Sequence, residues 1–337
     1  MKAAVLHELK KPLAFEEVER PRPGENEVLI QVEACGVCHS DLHIVDADWK
    51  QFGGITKIPL IPGHEIAGRV TEIGSGVKEL KPGDRVGVPW IFWTCGECEF
   101  CREGNENLCV RQKITGLTVD GGYAEFIKAP ASHATKIPGS ISAEQAAPLF
   151  CAGVTVYRAI RKSHLAAGQR VAVFGVGGLG HLAIQIGKEF GAEVTAIDVS
   201  DEKLELAKSY GAARTVNAAS ANVVKELRRA GGMHVALVTS GAKAAYDTAF
   251  PSLRPTGRLM VVGLPAEICF PPIMMAAGEV HIQASAVGTR KDLAEVLAMA
   301  AAGKLHCQVA TRPLADANAV LDEMRAGKIS GRVVLTM

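Results

Sequence analysis

Four cysteines, Cys95, Cys98, Cys101 and Cys109, form a CxxCxxCx7C run in which Gly96 and Gly104 permit tight turns. Four thiolates at this spacing suit a closed, tetrahedral structural zinc with Zn–S bonds near ~2.3 Å. A bacterial iron–sulfur run would close with a shorter gap and a Cys-Pro pair, whereas Val110 follows Cys109 here. A closed site leaves no coordination position for a substrate. Reactive chemistry therefore belongs elsewhere in the chain.

A second constellation offers it. The stretch CGVCHSDLH contains Cys38, His39, Ser40, Asp41 and His43, and GHEIAG supplies His64 and Glu65. Together with Cys151, Cys38 and His64 make a Cys2His set that leaves a fourth position for water or an alcohol, the composition of a catalytic zinc. The three are too far apart in sequence for spacing to assemble them, and Cys151 alone reads more readily as a core thiol. Cys35 and Cys38 also form a CxxC, but no thioredoxin-like pattern follows and a redox dithiol gives His39, Ser40 and Asp41 no purpose. Cys35 reads as a small buried side chain, and Cys269 and Cys307 as structural.

The third signal is for a nucleotide. Gly175, Gly177 and Gly180, with Gly178 between them, form GxGxxG after the apolar run RVAVF and before a helical pattern. There the backbone must turn tightly and approach a pyrophosphate at a helix N-terminus. Asp198 ends the next strand about 20 residues on, where a carboxylate accepts hydrogen bonds from ribose hydroxyls and repels a 2′-phosphate, favouring NAD over NADP.

These residues require two kinds of scaffold. Up to about Ala131 the chain alternates β-branched runs with Pro and Gly: VLIQVEACGV, IAGRVTEIG, DRVGVPW and GGYAEFIKA, the pattern of a β-rich, barrel-like unit. From Ser142 the period becomes helical, with Gln145 three residues on as an N-terminal capping pair, and the helix is predicted to carry Cys151. Strand and helix patterns then alternate, which predicts a doubly wound parallel sheet. Further helices are predicted over Asp292 to Ala302 and Ala315 to Ala326, before the final run RVVLTM. The predicted organisation is α/β: a catalytic domain of residues 1–147 and 288–337, with a nucleotide-binding domain of residues 148–287 inserted in it.

Bulk properties agree. A chain of 337 residues exceeds the roughly 250 to 300 residues of a single core. Lys plus Arg total 37 against 36 for Asp plus Glu, so no net field draws the chain to nucleic acid or an anionic membrane. The N-terminal apolar run is interrupted too early for a signal peptide, and the most apolar stretch, Val171 to Gly187, contains His181 and several glycines. A cytoplasmic protein is expected, without nucleic-acid or membrane partners.

CGVCHSDLH, GHEIAG, KPGDRVG, the four-cysteine lobe, GGYAEF, and GVGGLGH with Asp198 together resemble the zinc-containing alcohol dehydrogenases of the medium-chain dehydrogenase/reductase superfamily. The resemblance runs in order over nearly the whole chain and is strongest to the bacterial and yeast-type members. It implies a GroES-like catalytic domain, a Rossmann domain and a cleft between them, with NAD and two zinc ions per chain. Carried over position by position, Cys38, His64 and Cys151 hold the catalytic zinc, Glu65 coordinates it transiently, and Asp41 orients the ligand histidine. Ser40 and His43 relay the alcohol proton, while His39 and Arg332 contact the pyrophosphate, Thr155 the nicotinamide and Lys203 the adenosine ribose. Trp49 and Trp90 would narrow the substrate pocket toward small alcohols such as ethanol. The resemblance also suggests a homotetramer. Zinc relatives acting on polyols, cinnamyl alcohols or formaldehyde adducts remain as rivals, as does a non-catalytic zinc- and nucleotide-binding relative.

Overall fold

Near Ser142 the architecture changes in the computed structural model, as the periodicity does in the sequence. The structure describes residues 1–50 and 53–337. The first part comprises β1 (Lys2–Val5), β2 (Ala14–Glu17), β3 (Glu27–Val37), α1 (His39–Val45), β4 (Glu65–Ile73), β5 (Arg85–Val88), β6 (Ile91–Trp93), α2 (Glu99–Arg102), β7 (Lys113–Ile114), β8 (Phe126–Pro130), β9 (Thr135–Lys136) and α3 (Ala143–Ala146). The second comprises α4 (Ala152–Lys162), β10 (Arg170–Phe174), α5 (Gly180–Glu189), β11 (Glu193–Asp198), α6 (Asp201–Ser209), β12 (Arg214–Asn217), α7 (Val223–Arg229), β13 (Met233–Val238), α8 (Lys243–Ala249), β14 (Leu253–Val261), α9 (Pro272–Gly278) and β15 (His281–Ala284). The chain ends with α10 (Arg290–Ala301), β16 (Val309–Pro313), α11 (Ala317–Arg325) and β17 (Arg332–Thr336).

Two compact units result: Met1–Cys151 with Thr289–Gly303 and Cys307–Met337, and Ala152–Gly288 with Lys304–His306. The first boundary falls a few residues beyond the predicted 147/148, which leaves Cys151 with the first unit. That unit contains a seven-stranded sheet in the order β16-β17-β3-β4-β5-β9, with β8 also paired to β3. β3 has neighbours β4, β8 and β17, and its sequence EVLIQVEACGV is correspondingly buried along most of its length. Val28, Ile30, Val32 and Cys35 enter a core that also takes in Leu6, Leu60, Ile66, Val88, Tyr123 and Leu335. The last strand, β17, lies antiparallel to β3 with Val334 opposite Gly36, so the terminal segment returns to the first unit.

In the second unit six strands run parallel in the order β12-β11-β10-β13-β14-β15. Counted from the first in sequence this is 3-2-1-4-5-6, the doubly wound order of dinucleotide-binding folds. The runs Val171–Phe174 and Val235–Val238 are buried, as parallel strands covered on both faces require.

One local expectation fails. Ser142 does cap a helix, accepting a hydrogen bond from the Gln145 amide at 3.3 Å, but that helix ends at Ala146. Pro148 has no N–H to continue it. The chain tightens into a 3₁₀ turn over Ala147–Phe150, and Cys151 sits at the junction before α4 with φ −131° rather than on a helix.

Candidate active site and metal centres

The turn from β3 into α1 builds the first centre. Cys38 is the residue before α1, in extended conformation, and its amide donates to Asp41 Oδ2 at 3.0 Å. This satisfies one backbone donor and draws the Asp41 carboxylate inward. Asp41 is fully buried and receives two further partners: the Tyr123 hydroxyl donates to Oδ2 at 3.1 Å, and His64 Nδ1 lies 2.8 Å from Oδ1. A carboxylate in such company only accepts, so His64 carries a hydrogen on Nδ1, which leaves Nε2 as the atom a metal would take. That Nε2 is buried and has no hydrogen-bond partner among the described residues. Burial alone would lower the His64 pKa, but Asp41 and the Cys38 sulfur outweigh it and hold it well above its ordinary value.

Glu65 follows His64 at the start of β4, opposite Gly36 on β3. Arg332 of β17 donates to Glu65 Oε1 at 2.5 Å and to the Val37 carbonyl at 2.9 Å, while Glu65 Oε2 has no partner among the described residues. Burial pushes the Glu65 carboxyl up to about 7 although Arg332 pulls the other way. The ligand atoms of Cys38, His64, Glu65 and Cys151 all lie within 4.8 Å of one another, and all four residues are buried. Sharing a hydrogen bond with Cys151, and helped by His64, the Cys38 thiol is held well below the ordinary thiol range. Cys151 is correspondingly raised, first by Cys38 and then by burial. Thiolate, imidazole and carboxylate atoms converging in a buried place, with His64 Nε2 left over, fit a zinc ion.

The second centre is the lobe of Cys95, Cys98, Cys101 and Cys109, whose sulfurs also lie within 4.8 Å of one another. Gly96 and Gly104 adopt φ of +73° and +74°, the left-handed turns that fold the sulfurs inward. Four sulfurs at ~2.3 Å from a tetrahedral zinc would stand about 3.8 Å apart. Cys95 and Cys101 are 3.9 Å apart, and Cys95 and Cys109 3.5 Å. Backbone amides of Glu97 and Cys98, with Arg111, hold the Cys95 thiol down at about 5, whereas burial and the neighbouring thiols push Cys101 up to about 12. A bound cation would relieve this uneven sharing of protons. The lobe fits a structural zinc.

The glycine turn fits a dinucleotide. Gly175 has φ +94°, and a Cβ on Gly180 would stand 1.8 Å from the Gly175 carbonyl oxygen, so both must be glycine for the turn to close on α5. A Cβ on Gly177 would meet nothing within 4 Å. Open space over a backbone that precedes a helix N-terminus is what a pyrophosphate needs. Asp198 ends β11 and accepts from the amides of Val176, Val199 and Ser200 at 2.7, 2.8 and 3.1 Å, which fixes its carboxylate at the turn. Lys203 is in the first turn of α6, half-buried, its amide bonded to Ser200 Oγ. Thr155 lies on α4 with its hydroxyl buried and unpartnered among the described residues.

The remaining expected residues cluster around α1. Ser40 is half-buried with Oγ 3.7 Å from Cys38 Sγ, His43 is half-buried and His39 is exposed. Trp90 meets the His64 ring edge-on with centroids 4.8 Å apart, and Trp49 lies over His43 at 4.9 Å. Cys35 is fully buried and its thiol raised well above the ordinary value by that burial. It packs so closely on Gly63 and Gly122 that a Cβ on either would come within 2.9 Å of its sulfur. Cys307 is buried likewise, its thiol pushed up to about 12, whereas Cys269 is exposed and so cannot be a core thiol. Sequence reasoning missed Tyr123, and saw Arg332 only as a cofactor contact. GGYAEF was visible as a motif, but nothing in it shows that its tyrosine reaches Asp41.

Two groups of metal-ligating side chains in one unit and a glycine turn suited to a dinucleotide in the other are the features of a zinc-binding dehydrogenase. The comparisons with known proteins give its family. Residues 24–139 match the alcohol dehydrogenase GroES-like domain and residues 178–302 the zinc-binding dehydrogenase domain. An alcohol dehydrogenase of Geobacillus stearothermophilus is 49% identical over 339 residues, covering 99% of each chain. The crystal structure of the alcohol dehydrogenase from the archaeon Aeropyrum pernix superimposes with a TM-score of 0.94 at 39% identity, covering 100% of both chains. An acetophenone reductase from Geotrichum candidum, solved in complex with NAD, gives 0.90 at 30% identity, over 100% of this chain and 97% of that one. The chain belongs to the zinc-containing alcohol dehydrogenases of the medium-chain dehydrogenase/reductase superfamily, with a GroES-like and a Rossmann domain. No helix among the described residues is long and apolar enough to cross a membrane.

Proposed function

We propose that this alcohol dehydrogenase is zinc-dependent and NAD-linked, and that it interconverts small alcohols, ethanol among them, with their aldehydes or ketones. The observation that carries the reading is the convergence of Cys38, His64, Glu65 and Cys151 in a buried place with His64 Nε2 unpartnered among the described residues. Cys38, His64 and Cys151 would hold the ion, and Glu65 is near enough to enter the ligand set transiently. When bound, zinc acts as a Lewis acid that eases loss of the alcohol proton and polarises the carbonyl for the reverse reaction. Asp41 keeps His64 in the tautomer the ion requires. Ser40 takes the alcohol proton by hydrogen bond and His43, half-buried, returns it to solvent.

The open backbone at Gly177, with the tight turn at Gly175 and Gly180, supports a dinucleotide, Gly178 is assigned to it on the motif, and Asp198 supports NAD over NADP through its negative charge. NAD supplies the hydride acceptor when bound. Lys203, Thr155, His39 and Arg332 are assigned to it on resemblance. For Arg332 the support is thinner, because its guanidinium is 3% exposed and already engaged by Glu65 and Val37. Trp90 beside His64 and Trp49 beside His43 support a narrow pocket for a small primary or secondary alcohol. The four-cysteine lobe would hold a second zinc that braces its own loop, and the reading includes a homotetramer, which light scattering tests.

Cys38→Ser is the direct experiment. Metal analysis should find about one zinc fewer per chain while the cysteine lobe keeps its own, and NADH formation from ethanol should be lost. A variant with one zinc per chain that still oxidises ethanol would overturn the assignment. Rates across ethanol, polyols, cinnamyl alcohol and a formaldehyde adduct, each with NAD and NADP, separate the rivals.

A further inference from the structure

We propose that Asp48 is a positioning residue that fixes the tautomer and ring direction of His43, so that His43 presents Nε2 as its proton-accepting atom. The proposal deepens the relay reading above and rests on it for its kinetic part.

α1 ends in a tight backbone closure. The Ala47 amide donates to the Ile44 carbonyl at 3.2 Å, and the Asp48 amide donates to the His43 carbonyl at 3.0 Å. Ala47 takes a left-handed φ of +54°. This nested pair of bonds around a left-handed residue is the Schellman closure, in which the residue after the left-handed one is folded back over the helix's last turn. Apolar side chains usually meet there. Here the pair is Asp48 over His43, with Asp48 Oδ2 3.1 Å from His43 Nδ1. Trp49 closes the other side, its ring 4.9 Å from the imidazole and tilted by 30°.

The corner is anchored. Asp46, the residue between α1 and Ala47, receives Arg325 Nε at 2.9 Å and Nη2 at 2.7 Å from α11, a two-pronged contact that holds the end of the helix. Arg325 is thereby occupied with Asp46 and Asp322, and His39 is the other titratable ring near His43, with centroids 6.4 Å apart. Asp48 is the acceptor that meets Nδ1.

An ionised carboxylate has no hydrogen to donate, so a neutral His43 paired with Asp48 must carry its hydrogen on Nδ1. Free histidine side chains favour the other tautomer. The pairing inverts that preference, leaves the Nε2 lone pair to receive a proton, and stabilises the imidazolium once it forms. His64 is held by Asp41 through the same atom, so α1 and its capping turn supply both carboxylates.

The experiment is ¹⁵N NMR of the full-length chain at a pH where His43 is neutral, for wild type, Asp48→Ala and Asp48→Glu. Wild type should show mainly the Nδ1–H form, Asp48→Ala mainly Nε2–H, and Asp48→Glu a return toward wild type, all with unchanged zinc content. In turnover, Asp48→Ala should lower kcat about tenfold with KM little changed, a part of the ~10²-fold or more that a positioned acid or base supplies. It should add nothing in a His43→Ala background. A wild-type Nε2–H form, or one unaltered by Asp48→Ala, overturns the proposal. If the tautomer shifts as expected but His43→Ala leaves kcat intact, the positioning is upheld and the relay role of His43 falls.

Discussion

Asp41 and His64 face each other at 2.8 Å with neither side chain reaching solvent, and Asp41 is held from behind by Tyr123 and the Cys38 amide. Their pairing is a statement about which histidine nitrogen is free. Asp41→Asn keeps the shape but gives up the charge that favours Nδ1–H, so zinc affinity should fall by about ten- to a hundredfold, the usual effect of losing such a partner. Tyr123→Phe should cost less, because the other two bonds remain. Competition with a chelator, followed by metal analysis, measures both. Equal zinc retention in wild type and Asp41→Asn would contradict the role.

Gly36 has no side chain because Glu65 occupies the space. A Cβ there would stand 1.9 Å from Glu65 Oε2, and the two residues are partners across β3 and β4. Gly36→Ala must therefore displace a buried carboxylate from Arg332, with a cost of about 2 kcal/mol, as overpacking in a core produces. Thermal unfolding should show a clear drop in Tm together with loss of activity. An unshifted Tm would mean that Glu65 moves freely, against its 0% exposure.

Trp90 meets the His64 ring at 4.8 Å and is only partly buried. Trp90→Ala should raise turnover of bulky alcohols relative to ethanol, since removing an indole opens volume beside a metal ligand. The measurement is the ratio of kcat/KM for a branched or aromatic alcohol to that for ethanol. If the ratio is unchanged, Trp90 is core packing and does not line the pocket.

His133 gives a pH-dependent prediction away from the first centre. It lies between Thr94 Oγ1 and Ser132 Oγ, at 3.1 and 2.9 Å, and burial, helped by Arg290, lowers its pKa to about 4. In the unfolded chain it returns to ~6.5. The folded state prefers the neutral ring, so its contribution is complete above about pH 6.5 and is lost as the pH falls through that value toward 4. The full swing is on the order of 3 kcal/mol. The urea midpoint of wild type should fall relative to that of His133→Gln between pH 7.5 and pH 4.5. A constant difference would show that His133 does not titrate across unfolding.

Legibility varied with how local each signal was. The cysteine lobe was readable because spacing and two turn glycines fix it within one short segment. β10, α5 and β11 were readable because an apolar run, a glycine turn, a helical apolar face and a strand ending in an acid follow one another within about 30 residues. β12 and β15, by contrast, are the outer strands of their sheet, and RTVN and HIQA are four-residue, partly exposed sequences too short to carry a clear strand pattern. Their strand character comes from the neighbour they pair with. Cys151 was expected on a helix because capping and apolar period both pointed there, and Pro148 prevailed. The first centre was the least local: Cys38, His64, Cys151 and Arg332 meet only because β3, β4 and β17 share one sheet.

That last dependence has a consequence for synthesis. Arg332 is translated long after Glu65, so while the ribosome is still making the second unit the carboxylate beside the zinc ligands has no counter-charge to be buried with. Only when β17 takes its place beside β3 does the guanidinium arrive. A chain cut short before residue 332 would lack the partner that favours the ionised Glu65, and a buried carboxyl without one takes up a proton or stays exposed to water. β17 thus ties the stability of the first unit to a segment far along the chain from the metal ligands it supports.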